Sequence, residues 1–257
     1  MRIVIKIGTS TLAYSTGHVN IRHIEAFCKV VSDIRNSGQE IIVVSSGAVG
    51  MGMGKLGLTE RPRELTMKQA AAAVGQCELM DTYDRLFGAY NHTVAQVLLT
   101  AGNLKNEDQH TNFINTLQKL LELQVIPIIN ENDTVATKEL VIGDNDTLAA
   151  IVASSVKADL LVLLSDIDGL FTADPHKDPD ARLIPVIRAV TPEVEALAGG
   201  AGSEVGTGGM VTKLEAARIA TDAGCDMVIA NGKNPEILYD IVEGKPVGTR
   251  FLGGMKE

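Results

Sequence analysis

The sequence predicts an α/β fold with a largely parallel sheet that helices cover on both sides. Strand-like apolar runs alternate with segments of helical periodicity along the 257 residues. The run Leu160–Leu164 is apolar at every position, as expected for a strand that is buried on both faces. No repeat, low-complexity tract or linker interrupts this alternation, so we expect one compact unit with two lobes.

The first half of the chain contains four short apolar runs that we interpret as strands. They are Ile3–Ile7, Glu40–Ser45, Val94–Thr100 and Val125–Ile129. Between them lie three segments with helical character, which are Ile21–Ser37, Leu65–Tyr90 (as one or two helices) and Thr111–Leu123. In the first of these, Ile24, Phe27 and Val31 recur at helical spacing, and the glycine that follows the segment suits a helix C-cap.

The second half continues the same alternation with fewer elements. Leu160–Leu164 and Met227–Ala230 are predicted strands, and Thr147–Val156 and Val211–Ala223 are predicted helices. The stretch Asp174–Pro179 is rich in proline and charge, which indicates a loop.

Composition excludes several classes of function. A formal net charge of −9 argues against nucleic acid as the main partner, because that partner requires a basic face. The three cysteines, Cys28, Cys77 and Cys225, lack metal-ligand spacing and are expected to be reduced. No apolar run is long enough for a membrane span, and the start lacks the parts of a signal peptide. We therefore expect a cytoplasmic protein with no membrane partner.

Two clusters of amide and carboxylate side chains mark a candidate polar pocket. Asn130–Asp133 follows the apolar run of the fourth strand, and Gly143–Asp146 precedes the small-residue helix that starts at Thr147. Such clusters would make a poor core, so we interpret them as a binding region at the edge of the apolar elements.

Two lysines lie in contexts that suit a phosphate group. Lys6 interrupts a strand just before Gly8, although a lysine that extends along an edge strand would explain it equally well. Lys213 follows the glycine-rich segment Gly206–Gly209 at the start of a helix, where its charge opposes the helix dipole unless an anion binds there. The alternative is a flexible loop before a helix.

Polar residues also follow two other strands. Asp166 comes directly after the buried strand and is the better functional candidate than Asp168, whose Asp-Gly dipeptide suits a plain turn. Ser46 has no nearby histidine to activate it and is predicted to bind substrate. The Gly52–Gly57 segment fits a bare GxGxxG pattern, but its distance from the strand disfavours a dinucleotide site.

Taken together, these motifs resemble the amino acid kinase family, and within it the members that phosphorylate L-glutamate. The resemblance runs from Lys6 to about Phe251 and rests on Lys6-Ile-Gly-Thr-Ser, Val44-Ser-Ser-Gly-Ala, Ile129-Asn-Glu-Asn-Asp, Gly143-Asp-Asn-Asp-Thr-Leu, Ser165-Asp-x-x-Gly-Leu-Phe and Gly206-Thr-Gly-Gly-Met-x-Thr-Lys. It implies a three-layer α/β/α sandwich, with an acceptor lobe at about 1–155 and an ATP lobe at about 156–257. It also implies a form without the C-terminal PUA domain of many relatives.

The resemblance implies transfer of the γ-phosphoryl group of ATP, with Mg²⁺ on its phosphates, to the side-chain carboxylate of L-glutamate. The product would be L-glutamyl 5-phosphate, made in the first step of proline biosynthesis. The expected catalytic residues are Lys6, Asp146 and Lys213. The expected ATP-binding residues are Lys6, Gly8, Ser165, Asp166, Thr207, Gly208, Gly209, Met210, Val211, Thr212 and Lys213. The expected substrate-binding residues are Ser46, Asn130, Asp133, Asp144 and Asn145.

Charge refines the expected acceptor. The stretch Asn130–Asp146 holds five carboxylates and one lysine, so it would repel a purely anionic substrate. Asp133 could pair with the α-ammonium of glutamate while Ser46 and Asn145 hold carboxylates. N-acetylglutamate lacks that ammonium. Further expectations from the resemblance are a homo-oligomer (dimer or tetramer), proline as feedback inhibitor and glutamyl phosphate reductase as partner. The alternatives are another acceptor within the family (carbamate, aspartate, acetylglutamate, uridylate or isopentenyl phosphate) and a non-catalytic nucleotide-binding module.

Overall fold

A computed structural model of the chain describes residues 1–14, 16–136, 144–175, 177–198 and 209–254. In these ranges the strands are β1 (Arg2–Ile7), β2 (Glu40–Ser45), β3 (Val94–Leu99), β4 (Ile126–Glu131), β5 (Leu160–Ser165), β6 (Val186–Ile187), β7 (Asp226–Asn231) and β8 (Thr249–Phe251). The helices are α1 (Thr9–Leu12), α2 (Ile21–Asn36), α3 (Ala48–Leu56), α4 (Leu65–Gly88), α5 (Ala101–Lys105), α6 (Glu107–Glu122), α7 (Asn145–Ser155), α8 (Pro192–Ala198), α9 (Met210–Asp222) and α10 (Ile237–Val242).

The chain divides into two compact units. The N-terminal unit is Ile7–Ile142, and the C-terminal unit combines Met1–Lys6 with Gly143–Glu257. The first six residues thus belong with the C-terminal part of the chain, because β1 lies beside β5 in the strand order of the C-terminal unit. The assignment of acceptor and ATP to particular lobes stays a prediction.

In the N-terminal unit the strands lie in the order β3-β4-β2, and both neighbouring pairs are parallel. Val44 pairs with Ile129, so Ser45 and Asn130 lie at the same level near the carboxyl ends of β2 and β4. Buried aliphatic residues fill β2 and β4, whereas in β3 only Leu99 is buried. The aromatic rings of Tyr83 and Phe87 on α4 are fully buried and stacked.

Helices α3 and α4 pack with their backbones in contact. A Cβ atom placed on Gly75 would lie 1.8 Å from the carbonyl oxygen of Ala48, and one on Gly52 would lie 1.7 Å from that of Ala71. Both distances are far inside van der Waals contact, so only glycine fits at either position. The Gly52–Gly57 segment is therefore part of a packed helix and its C-cap, not a dinucleotide-binding loop.

In the C-terminal unit the strands lie in the order β1-β5-β7-β8-β6. β5 and β7 are parallel with Leu160 opposite Asp226, whereas β8 runs antiparallel to β7. The interior positions of β5 and β7 are buried, as the apolar run predicted, and α7 packs against α9. Arg2 ties β1 to this unit, because its backbone N–H donates to Asp159 at 2.8 Å.

The predicted α/β class with a largely parallel sheet is confirmed. Several predicted boundaries differ from the structure. β4 continues to Glu131, so Asn130 lies inside a strand and not in a loop after it. α6 starts at Glu107, because the Asn106 side chain caps it by accepting from the backbone N–H of Gln109. The helix α3, rich in glycine, and the short elements α1, α5, α8, α10, β6 and β8 were not predicted.

Candidate active site

Three charged side chains from distant parts of the sequence meet in the C-terminal unit. Lys6 Nζ lies 2.7 Å from Asp146 Oδ1, and Lys213 Nζ lies 3.0 Å from Asp146 Oδ2. Lys6 comes from the end of β1, Asp146 from the first turn of α7 and Lys213 from the first turn of α9. We call these three residues the lysine–aspartate cluster. The predicted catalytic residues are thus brought together.

The sequence before α7 explains how Asp146 is held. Asp144 is the N-cap of α7, and its Oδ1 accepts from the backbone N–H of Asp146 at 2.6 Å and of Thr147 at 2.9 Å. This cap fixes the first turn of the helix. A carboxylate in that turn is also stabilised by the positive end of the helix dipole.

Burial makes the cluster electrostatically strong. The Asp146 side chain is 1% exposed, and those of Lys213 and Lys6 are 7% and 13% exposed. Burial alone would raise the pKa of Asp146, but the two ammonium groups more than offset this and hold that pKa below its usual range. Two ammonium groups and one carboxylate give the cluster a net charge of +1, which favours an anionic ligand beside it.

The start of α9 adds further capacity to bind an anion. Its N-cap is Gly209, which has no side chain to cap the helix, so among the described residues the N-cap position offers no side-chain acceptor to the first N–H groups. The Thr212 hydroxyl donates to the carbonyl oxygen of Gly209 at 2.8 Å and tightens the first turn. Met210 is half-buried, whereas Val211 is exposed. Thr207 and Gly208 lie outside the described residues.

Polar side chains occupy the carboxyl ends of β5 and β7 in the same unit. The Ser165 hydroxyl donates to Asp166 Oδ1 at 3.1 Å, and Asp166 is exposed. Asn231, opposite Ser165 in β7, donates from Nδ2 to Asp168 Oδ1 at 2.7 Å. Asn231 was not predicted as a site residue, because its only signal in the sequence is its place at the end of a strand.

The N-terminal unit holds the other predicted binding residues. Gly8 is the N-cap of the short α1, and the backbone N–H of Ser46 donates to the carbonyl oxygen of Ile7 at 3.1 Å. Asp133 is half-buried, and burial raises its pKa although the Arg61 guanidinium partly offsets the rise. Asn130 is buried in β4.

Two buried polar contacts of this unit were missed by the sequence analysis. Asn130 Nδ2 donates to Gln76 Oε1 at 2.9 Å, and the hydroxyls of Ser45 and Tyr83 lie 2.9 Å apart. Gln76 could have been noticed as an amide on an otherwise small and apolar stretch of α4, since a buried polar group without a partner is costly. Its partner could not have been predicted, because it depends on how α4 packs on β4.

The described ranges lack both a metal-binding cluster and a membrane-spanning helix. They contain no group of three or more His, Cys, Asp or Glu side chains arranged to hold a metal ion. None of the helices described there combines the length and apolar character needed to cross a bilayer.

Comparisons with known proteins agree with this geometry. The profile of the amino acid kinase family matches residues 1–231. A protein named glutamate 5-kinase from Clostridium perfringens is 53% identical over 255 residues, covering 98% of this chain and 95% of the relative. Its namesake from Listeria innocua is 53% identical over 260 residues, covering 100% of this chain and 94% of the relative.

Similarity also extends to solved structures. The crystal structure of isopentenyl phosphate kinase from T. acidophilum matches with a TM-score of 0.68 and 20% sequence identity, covering 98% of this chain and 100% of the other. At that identity the likeness supports the fold and carries no information on the substrate.

Proposed function

Because the chain belongs to the amino acid kinase family, we propose that it transfers the γ-phosphoryl group of ATP to the side-chain carboxylate of L-glutamate. The products are L-glutamyl 5-phosphate and ADP, and the reaction is the first step of proline biosynthesis. The observation that carries the proposal is the lysine–aspartate cluster, and the two relatives at 53% identity support the choice of acceptor.

The reaction brings one anion against another, which defines what the protein must supply. Two like unit charges about 4 Å apart repel by about 4 kcal/mol at an effective dielectric constant of 20. Phosphoryl transfer is catalysed mainly by positioning and by stabilising the charge that spreads over the transferring group. The ammonium groups of Lys6 and Lys213, buried and fixed by a shared carboxylate, suit this role.

Asp146 acts as a positioning residue for the two lysines and not as a general base. The acceptor carboxylate of glutamate is already ionised at neutral pH, so no proton has to be removed before it attacks phosphorus. The lowered pKa of Asp146 keeps this residue ionised as well, which holds both ammonium groups in place.

ATP is proposed to bind in the C-terminal unit, at Gly209–Lys213 and at Ser165 and Asp166, with Thr207 and Gly208 contributing as the sequence predicts. The uncapped N–H groups at the start of α9 suit a phosphate. Mg²⁺ usually binds through substrate phosphates and one or two carboxylates, and Asp166 is an exposed carboxylate that fits such a ligand. When bound on the phosphates, Mg²⁺ would neutralise part of their charge.

The acceptor is proposed to use Asp133 for its α-ammonium and Ser46 and Asn130 for its polar groups. The raised pKa of Asp133 indicates a carboxylate that lacks a full counter-charge, which an ammonium group would provide. In the C-terminal unit Asn145 keeps its predicted role. Asp144 is better explained as the cap of α7, because its Oδ1 already accepts two N–H groups.

An assay in which hydroxylamine traps the acyl phosphate tests this function. Incubation with MgATP, L-glutamate and hydroxylamine should give γ-glutamyl hydroxamate, and L-aspartate and N-acetylglutamate should give far less. Lys213→Met, which removes the charge but keeps the chain length, should lower kcat by roughly 10²-fold or more and change KM little, because the charge acts on the transition state.

Other outcomes would replace the proposal. Hydroxamate formed only with aspartate or acetylglutamate would assign a different acceptor. ATP binding without any hydroxamate would favour the non-catalytic nucleotide-binding module. An unchanged kcat in Lys213→Met would remove this residue from catalysis.

Several finer points stay predictions within this proposal. They are a cytoplasmic location, a dimeric or tetrameric assembly, inhibition by proline, and a reductase that consumes the labile acyl phosphate. Gly8 and Lys6 are retained as residues near the ATP phosphates.

A further inference from the structure

A pair of carboxamides lies buried at the end of β4 in the N-terminal unit. Gln76, on α4, is 8% exposed, and Asn130, in β4, is 3% exposed. Asn130 Nδ2 donates to Gln76 Oε1 at 2.9 Å. We call these two residues the carboxamide pair.

One backbone group fixes the orientation of both amides. The backbone N–H of Glu131 donates to Asn130 Oδ1 at 2.9 Å, so the oxygen of that side chain must face the N–H. Asn130 Nδ2 therefore points to Gln76, and Gln76 must present its oxygen in return. Its Nε2, with two N–H groups, is consequently turned away from Asn130.

Gln76 Nε2 is buried and has no hydrogen-bond acceptor among the residues that the structure describes. Buried donors without an acceptor are rare, and they call for a partner supplied by something other than these residues. Rotating the Gln76 amide would not help, because two NH₂ groups would then face each other. The required partner is an acceptor atom.

The position of the carboxamide pair indicates what that partner is. Asn130 lies level with Ser45 near the carboxyl ends of two parallel strands, where ligands of α/β proteins bind. Asp133, the proposed partner of the substrate ammonium, follows three residues later in the chain. We propose that Gln76 is a further substrate-binding residue, whose Nε2 donates a hydrogen bond to a carboxylate oxygen of the acceptor amino acid.

The chemistry of a neutral amide suits this role. It donates to a carboxylate without adding a positive charge that would compete for the phosphates of ATP. Because Nε2 is shielded from bulk water, a substrate oxygen reaches it only when neighbouring side chains move aside, and water then competes weakly for the bond. The inference rests on the proposed function in assuming a dicarboxylic acceptor.

Gln76→Glu tests the donor directly, because it keeps an oxygen for Asn130 and replaces the NH₂ group with an acceptor. We expect the Kd for L-glutamate, measured by calorimetry, to rise by roughly 10- to 100-fold, in line with a lost hydrogen bond to a charged group. The KM for MgATP should stay within about twofold of the wild-type value. Gln76→Met, which is uncharged and similar in size, should also weaken glutamate binding.

Thr82→Val is the matched control on the same helix. Thr82 is buried, and its hydroxyl donates within α4 to the carbonyl oxygen of Glu78 at 2.8 Å, so its removal reports a purely structural loss. This variant should bind glutamate like the wild type. If Gln76→Glu and Gln76→Met bind glutamate normally, or lose glutamate and ATP affinity equally with a lower Tm, the inference is wrong.

A second ligand identifies the carboxylate concerned. 4-Aminobutyrate retains the side-chain carboxylate of glutamate and lacks the α-carboxylate. If Gln76→Glu raises the Kd for L-glutamate alone, Nε2 binds the α-carboxylate. If it raises the Kd for both ligands, Nε2 binds the side-chain carboxylate. Either supports the inference.

The test separates this inference from the proposed function. Wild-type protein that binds glutamate without forming hydroxamate would refute the function. Weaker binding in Gln76→Glu would still support the role of Gln76. Wild-type protein that forms hydroxamate, with unchanged binding in both variants, would refute the inference alone.

Discussion

The single carboxylate of Asp146 holds two lysines, one on each oxygen. Its motif was recognisable in the sequence, and its place before a small-residue helix predicted that it would lie near a helix start. The contacts at 2.7 and 3.0 Å were not predictable, because they join residues from three elements that are distant in sequence. The three residues were selected from their motifs, and the structure shows that they lie in contact.

Replacing Asp146 with Asn should damage activity and stability together. The change leaves two buried ammonium groups without their counter-charge, and breaking a buried ion pair typically costs about 3–5 kcal/mol. We expect kcat to fall by roughly 10²-fold or more, because both lysines lose their orientation. Asp222→Asn, on an exposed position of α9, is the control and should change the free energy of unfolding by less than about 0.5 kcal/mol.

Asp146→Asn should also change how the free energy of unfolding depends on pH in the acidic range. The pKa of Asp146 is lower in the folded chain than its unfolded value of about 3.9, so its contribution is present above that value. The contribution is lost as the pH falls from the unfolded pKa through the lower folded pKa. In urea unfolding below pH 5, the free energy of unfolding should therefore fall less steeply with decreasing pH for Asp146→Asn than for the wild type. Parallel curves would contradict the ion pairing.

At the scale of elements, the contact between α3 and α4 positions the residues beside it. Gly75 is one of the two glycines at which the helices approach closely, and Gln76 follows it directly on α4. The long helix was predicted from its composition. The helix α3 was not, because it contains three glycines and is flanked by two more, and glycine has low helix propensity. Packing against α4 stabilises it despite that propensity.

Gly75→Ala should disturb this contact. A Cβ at 1.8 Å from the Ala48 carbonyl oxygen forces the helices apart, and such overpacking typically costs about 1–3 kcal/mol or more. We expect a lower Tm and weaker glutamate binding through the displaced Gln76. Gly88→Ala, at the other end of α4 with no atom within 4 Å of the new Cβ, should be neutral or slightly stabilising. Equal Tm changes in both variants would contradict the close contact.

At the scale of the whole molecule, the α/β class and the long elements were predictable from the sequence. The division into lobes near residue 155 stays a prediction, and the contacts of the structure group Met1–Lys6 with Gly143–Glu257. Local patterns report the period of an element and not its neighbours, so the partners of β1 were not visible in its residues. Short elements such as β6 and β8 were also not predictable, because two or three residues show no period.

MgATP should stabilise the whole chain by mass action. At 100 times its Kd a ligand contributes about 2.7 kcal/mol, and 1 kcal/mol shifts the Tm of a protein near this size by about 2–4 °C. The Tm measured with saturating MgATP should therefore be roughly 5–10 °C higher than the Tm without it. Lys213→Met should show a similar rise, because its charge is proposed to act on the transition state and not on ATP binding. Wild-type protein with no rise at all would contradict ATP binding.

The three residues of the lysine–aspartate cluster are synthesised at different times. Lys6 leaves the ribosome long before Asp146, and at about 5–20 residues per second its counter-charge follows roughly 7–30 s later. Lys213 is made later still. A chain that has been synthesised only as far as Asp146 thus lacks one of the two lysines of the cluster, and under the proposed function it could not yet transfer a phosphoryl group.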